Sequence, residues 1–224
     1  MDSVLLAAAV PKDTQNLLDL GAGVGTAGLA ALAIQRAARV DLVERDEAAS
    51  TLARDNVAQN GFSRRARVLM LDILAKGEDR RASGLADNGY DAVIANPPFF
   101  GAGQGTNAPD RSRAAARHMA ADELDGWVKC AASAAKAGGL AIFIYPAQGL
   151  SPLLAALDRR FGGLVVLPLT ARPGASATRV LVRGIKGSRA PLTLLASRAL
   201  HGPQGNGFAP EFDAILRGTA VLDW

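Results

Sequence analysis

A glycine-rich turn, Gly21-Ala22-Gly23-Val24-Gly25, separates a short apolar run at residues 16–20 from an Ala/Leu-rich stretch at residues 26–38. Such a segment must leave an extended strand, reverse sharply and enter a helix. Only residues without a Cβ, or with a small one, let a ligand approach the backbone of that bend closely. A strand, a glycine turn and a helix in this order are the opening unit of an open α/β sheet.

The rest of the chain repeats the alternation. Strands are expected at residues 39–44, 66–71, 91–95 and 140–145, and helices at residues 46–60, 122–136 and 150–160, with Asp122 as an N-cap and Gly138-Gly139 as a helix stop. Residues 164–169 and 178–183, joined across Arg172-Pro173-Gly174, suggest an antiparallel hairpin, and residues 192–197 a further strand. Alternating strands and helices imply a mainly parallel sheet covered on both faces, with the ligand crevice at the carboxyl ends of the strands. The expectation is an α/β, Rossmann-like fold: one domain over residues 1–224 with a seven-stranded sheet and an antiparallel carboxyl-terminal hairpin.

Three carboxylates fall at those strand ends. Asp19 precedes the turn and can accept a hydrogen bond from an α-ammonium group. Glu44 ends the second strand, where an acidic residue accepts ribose hydroxyls. Asp72, beside Ile73, ends the third and can hold the amino group and ring of an adenine. The turn itself contributes Gly21, Ala22, Gly23 and Gly25. Gly23 to Gly28 also satisfies the G-x-G-x-x-G dinucleotide fingerprint, so an NAD-dependent oxidoreductase is an alternative. Against it, Gly21 already occupies the first turn position, and Asp19 would bring negative charge towards a pyrophosphate.

The fourth strand stops at Asn96-Pro97-Pro98-Phe99. An aromatic amine is a weak nucleophile because its lone pair is delocalised into the ring. Asn96 Oδ1 and the Pro97 carbonyl can each accept an N–H from such an amine and stabilise the charge that develops on it. Pro97 and Pro98 restrict the backbone that carries these acceptors, and Phe99 offers a stacking face to an unpaired base. An ordinary turn after a strand is the competing explanation of this segment.

Together these residues resemble class I S-adenosylmethionine-dependent methyltransferases, and more narrowly the bacterial tRNA1(Val) adenine-N6 methyltransferase family. Residues 4–9, 19–25 and 96–99, the Arg117-His118 pair, Arg172-Pro173-Gly174 and residues 179–182 carry the likeness. The resemblance implies S-adenosylmethionine as cofactor, held by Asp19, Gly21, Ala22, Gly23, Gly25, Glu44, Asp72, Ile73 and Asn96. It implies methylation of adenine N6 in a tRNA anticodon loop, with Asn96, Pro97, Pro98 and Phe99 at the target base. Methyltransferases of rRNA guanine N2, of DNA adenine and of protein glutamine share the Asn-Pro-Pro-Phe motif and are alternatives, as is an enzyme of the same fold acting on a small molecule. Members of the family also carry a further segment ahead of the part that residues 2–10 resemble.

Composition narrows the partners. The chain has 224 residues, 49% hydrophobic and 21% charged, enough to bury a core without disulfides, and Cys130 is its one cysteine. Neither a metal-ligand spacing nor a membrane-spanning run is visible, so a cytoplasmic location is expected; nothing sets an oligomeric state. The net charge is +4, and eight basic residues (Arg159, Arg160, Arg172, Arg179, Arg183, Lys186, Arg189, Arg198) occupy residues 159–210 without one Asp or Glu. That distribution suits tRNA as readily as a solvated face. In the Gly- and Arg-rich stretch at residues 101–117, Arg111, Arg113 and Arg117, with His118 after them, are expected at the substrate, joined by Arg172 and Arg179. Cys130, Trp127 and Trp224 are read as packing residues, and His201 has no evident partner.

Overall fold

A computed structural model describes residues 1–98, 121–205 and 207–224. The chain opens with helix α1 (Asp2–Ala8) and alternates through β1 (Thr14–Leu20), α2 (Thr26–Ala33), β2 (Ala37–Glu44), α3 (Glu47–Gln59), β3 (Ala66–Met70), α4 (Gly77–Ala82) and β4 (Tyr90–Ala95). It continues with α5 (Ala121–Ala134), β5 (Ala135–Pro146), α6 (Leu150–Asp158), β6 (Phe161–Thr170), β7 (Ala177–Lys186), β8 (Thr193–Leu194), β9 (Arg198–Ala199) and α7 (Pro210–Leu216).

One sheet runs β3-β2-β1-β4-β5-β7-β6-β8, with β9 also on β6. β1 to β5 pair in parallel, and β7 lies antiparallel between β5 and β6. The seven expected strands are present; β8 and β9, two residues each, take the place of the strand expected at residues 192–197. Alternate residues supply two apolar layers. Leu18, Leu20, Val93 and Phe143 face α5 and α6, while Leu17, Ala92 and Ile142 face α1, α2 and α7. Burial on both faces is what parallel strands require.

Several boundaries differ from expectation for local reasons. The first long helix stops at Ala33, because Gln35 takes a left-handed φ of 58° and β2 already begins at Ala37. Gly138-Gly139 does not end a helix; it lies inside β5, where the β4–β5 register shifts and a Cβ at Gly139 would come 3.0 Å from the Tyr90 carbonyl. α1, α4 and α7 are additional elements. Asp46 caps α3 by accepting the Ala49 N–H at 2.8 Å.

Register also shapes the site. Phe143 of β5 is level with Ala95, the last residue of β4, yet β5 runs on to Pro146, opposite Arg179 of β7. The β5–β7–β6 side therefore overruns β4 by about 10 Å at roughly 3.3 Å per residue and walls one flank of the carboxyl edge.

Candidate functional site

β1 leaves the sheet at Leu20, and Gly21, Gly23 and Gly25 follow with φ of 63°, 56° and 87°. Each glycine answers a different demand. A Cβ at Gly21 would lie 2.2 Å from Trp127 Cη2, so α5 presses an indole against the bend. At Gly23 a Cβ would meet nothing within 4 Å, which leaves that stretch of backbone open to a ligand. Gly25 is the N-cap of α2, and Ala22 ties the bend to β2 through its N–H on the Val43 carbonyl at 2.9 Å. Gly28, inside α2, would with a Cβ stand 2.4 Å from Leu42 Cδ2, so its bareness sets how closely helix and sheet pack. The sequence contained that signal, the third glycine of the fingerprint, although no site role was assigned to it.

The three carboxylates lie where strand ends should place them. Asp19 is buried, and its Oδ2 accepts the Gly28 N–H at 2.9 Å; among the described residues no cation pairs with it. Burial pushes this carboxyl up to about 7, opposed by the Gly28 hydrogen bond and reinforced by the nearby charge of Glu44. Glu44 Oε2 accepts the Gly23 N–H at 2.9 Å, and Oε1 accepts the N–H groups of Arg45 and Asp46 at 2.8 and 2.9 Å. Asp72 Oδ1 accepts the Leu74 N–H at 2.9 Å, and its Oδ2 stands 3.6 Å from Arg45 Nη1. Ile73 beside it is buried.

Leu20 is level with Val43 on one side and Ala95 on the other, so Gly21, Glu44 and Asn96 stand side by side at the carboxyl edge, Glu44 still paired with Met70 of β3. Asn96 is exposed, and no described residue hydrogen-bonds its amide; Pro97 is buried and Pro98 half-buried. Phe99, Arg111, Arg113, Arg117 and His118 lie outside the described residues.

Arg172 and Arg179 belong to the overhanging wall, on the same edge as Asn96, and both hold protein groups. Arg172 donates to the carbonyls of Gly202 and Gly205 at 3.0 and 2.7 Å, and Arg179 Nε to Asp2 Oδ2 at 2.9 Å. Other members of the basic stretch are engaged too. Arg159 and Arg160 meet Asp125, Arg198 meets Glu211, Lys186 donates to Asn88 and to the Ala135 carbonyl, and Arg183 lies over the Trp224 ring. His201, expected to be isolated, stacks on Phe208 with 4.8 Å between ring centroids. Cys130 and Trp127 are buried as packing residues. Trp127 nevertheless bears on the site through Gly21, a contact no sequence pattern announces.

Among the described residues no helix is long and apolar enough to cross a membrane. The methyltransferase small domain family matches residues 1–122. A tRNA1(Val) (adenine(37)-N6)-methyltransferase of Aeromonas salmonicida is 32% identical over 187 residues, 81% of this chain and 73% of that protein. A protein of the same name from Erwinia tasmaniensis is 28% identical over 193 residues, 77% of this chain and 75% of its own length. Among solved structures, a predicted O-methyltransferase from Agrobacterium tumefaciens superposes with a TM-score of 0.83 at 32% identity, covering 99% of this chain and 98% of that one. An S-adenosylmethionine-dependent O-methyltransferase from Thermotoga maritima shares the fold, with a TM-score of 0.58 at 19% identity over 84% of this chain and 65% of its own.

Proposed function

The chain belongs to the methyltransferase small domain family and is an S-adenosylmethionine-dependent methyltransferase, and from that premise we propose that it methylates N6 of an adenine in tRNA. The oxidoreductase alternative falls with this membership. The observation that carries the choice of an amine is Asn96: an exposed amide with no described partner, beside the glycine turn and backed by a buried proline. The name shared by the Aeromonas and Erwinia relatives supports tRNA adenine as the acceptor. A cytoplasmic location and a single catalytic domain over residues 1–224 complete the proposal.

The residues present fit the cofactor. Asp19 offers a buried carboxylate without a cation, Gly23 an open backbone, and Glu44 an acceptor at the end of β2. We assign Asp19 to the ammonium, Gly21 to Gly25 to the chain that joins ammonium and sulfur, Glu44 to the ribose, and Asp72 with Ile73 to the adenine. An ionised carboxylate has about four acceptor positions, and Glu44 already fills most of them with backbone N–H groups. Accepting two ribose hydroxyls therefore requires the Gly23 N–H to be released or shared.

When bound, S-adenosylmethionine supplies a methyl group on a sulfonium, an electrophile that needs no metal. The protein orients the acceptor. Asn96 Oδ1 and the Pro97 carbonyl accept the two N–H bonds of the amine, turning its lone pair away from the ring and towards the methyl. No strong base is needed, because the methylated ammonium is acidic enough to lose a proton to water.

A second reading, transfer to a hydroxyl, is favoured by the likeness to the predicted O-methyltransferase of Agrobacterium and by the internal engagement of most of the basic stretch. A hydroxyl has one proton to donate and needs a base. Labelled S-adenosylmethionine with unmodified tRNA, followed by nucleoside analysis, separates the two. N6-methyladenosine is the expected product, and Asn96→Ala should slow its formation by about 10²–10³-fold while leaving S-adenosylhomocysteine binding intact. Transfer undiminished by Asn96→Ala would remove the assigned chemistry.

A further inference from the structure

α4 carries Arg80, which is 8% exposed and donates from Nη1 to the Ile73 carbonyl at 2.9 Å. Among the described residues no carboxylate pairs with it. A guanidinium presents several N–H donors and keeps its charge at any ordinary pH, so one carbonyl acceptor leaves most of its hydrogen-bonding capacity unused. Part of its charge is met by Asp87, whose carboxyl it helps Ser133 and Arg81 to hold below the usual range, and its remaining N–H donors are left for an anion that enters from solvent.

Arg80 lines a cleft of about 570 Å³ between the link that follows β3 and the first turns of α5. Lys76 and Lys129 line it as well, and both are exposed. The carboxylates on the rim are Glu123 and Asp125. Asp125 is held by Arg160 at 2.7 and 3.0 Å and also feels Lys129, and Asp87 feels Arg80, so the three cations of the cleft still outnumber its two rim carboxylates, one of which is engaged elsewhere. A lysine on each wall with a guanidinium at the base is a donor set for a compact oxyanion, with the planar fork suited to paired bonds from phosphate.

Position selects the anion. The link leaves β3 at the carboxyl edge, and β3 is three strands from β4, or about 14 Å at roughly 4.8 Å per strand. The cofactor carries no phosphate, and its one carboxylate goes with the ammonium assigned to Asp19 at the glycine turn, so it is not the anion for this cleft. We propose that the cleft is a phosphate-binding subsite that seats a backbone phosphate of the RNA substrate close to the nucleotide at Asn96, with Arg80 as its central ligand. The proposal rests on the RNA reading above. A free phosphate has the same chemistry and is separated from the RNA by experiment.

The full chain would be titrated with an unmodified tRNA transcript over a salt series, beside its Lys76→Ala/Lys129→Ala and Arg80→Gln variants. The lysine pair is exposed, so folding survives its loss. That variant should bind the transcript several-fold more weakly at low salt and reduce the slope of log affinity against log salt by about 1–2. Its S-adenosylhomocysteine affinity should stay unchanged. The KM for tRNA should rise in step, with kcat at saturation within about two-fold. Arg80→Gln should cost more; if it does not fold, the lysine pair decides alone. An unchanged salt slope in the lysine-pair variant, with methyl transfer to tRNA intact, overturns the subsite and leaves the function standing. Failure of the unaltered chain to bind or methylate tRNA overturns both. In a parallel arm, inorganic phosphate that stabilises the unaltered chain but neither variant, while tRNA binding is the same in all three, assigns the cleft to a free anion and overturns the RNA assignment.

Discussion

Asp19 sits where packing and ligand chemistry make opposite demands. Its burial, outweighing the Gly28 hydrogen bond, raises it to about 7, far above the ordinary value of about 4, so the folded chain holds a proton there that the unfolded chain has released. The resulting stability is fully present below about pH 4 and is lost as pH rises through about 7. Asp19→Asn mimics the protonated form, so in urea unfolding it should match the unaltered chain near pH 4 and exceed it at pH 8, by an amount of the order of a few kcal/mol. An ammonium group demands the opposite, the ionised form. With Asp19 as its acceptor, affinity for S-adenosylhomocysteine by calorimetry should therefore climb from pH 5.5 and level off above about 7, and the climb should vanish in Asp19→Asn. Gly28 holds Asp19 through its N–H, and its missing Cβ answers to packing. A Cβ there meets Leu42 at 2.4 Å and Val40 at 2.9 Å, so Gly28→Ala should cost about 1–3 kcal/mol in chemical denaturation.

Between elements, ion pairs differ in worth according to geometry. Arg160 of α6 holds Asp125 of α5 through two bonds of 2.7 and 3.0 Å and is largely covered, whereas Arg159 reaches the same carboxylate at 3.5 Å from solvent. Arg160→Ala should lower stability by about 1 kcal/mol and Arg159→Ala by almost nothing, a contrast that differential thermal melting resolves. The same local-versus-tertiary distinction explains what could be read from the chain beforehand. The β1, turn and α2 unit was legible because its glycines answer to backbone geometry within one segment, and the strand-end positions of Asp19, Glu44, Asp72 and Asn96, though not their roles, were legible because apolar runs stop beside them. α4 was not, since Gly77–Ala82 is mostly charged and shows no apolar stripe; Arg80 is buried where its guanidinium folds back onto the Ile73 carbonyl, a tertiary contact. The insertion of β7 between β5 and β6 was likewise hidden, because adjacent hairpin strands fix their own pairing but not which of them meets β5.

Across the whole molecule, the positive charge concentrated in the last third serves the fold before it serves any partner. Arg179 reaches back to Asp2 and Arg183 to Trp224, so the basic stretch joins the two ends of the chain to the sheet. Those ends close one of its faces. α1 is buried through Leu5 and Leu6, α7 contributes Phe212 and Ile215 to the same apolar layer, and the Leu222 N–H bonds the Ala8 carbonyl at 3.1 Å. Removing residues 210–224 would strip Phe212, Ile215 and Leu222 from that layer, a loss of roughly 5–9 kcal/mol at about 1.5–3 kcal/mol per buried apolar side chain. A domain this size has only about 5–15 kcal/mol to lose. The shortened chain should therefore show no cooperative thermal transition and no S-adenosylhomocysteine binding, even though every residue assigned to the cofactor is still present. Phe208→Ala, at an exposed ring stacked on His201, should by contrast change stability by less than about 1 kcal/mol. A shortened chain that melts within a few degrees of the full one would mean that α1 covers the sheet unaided.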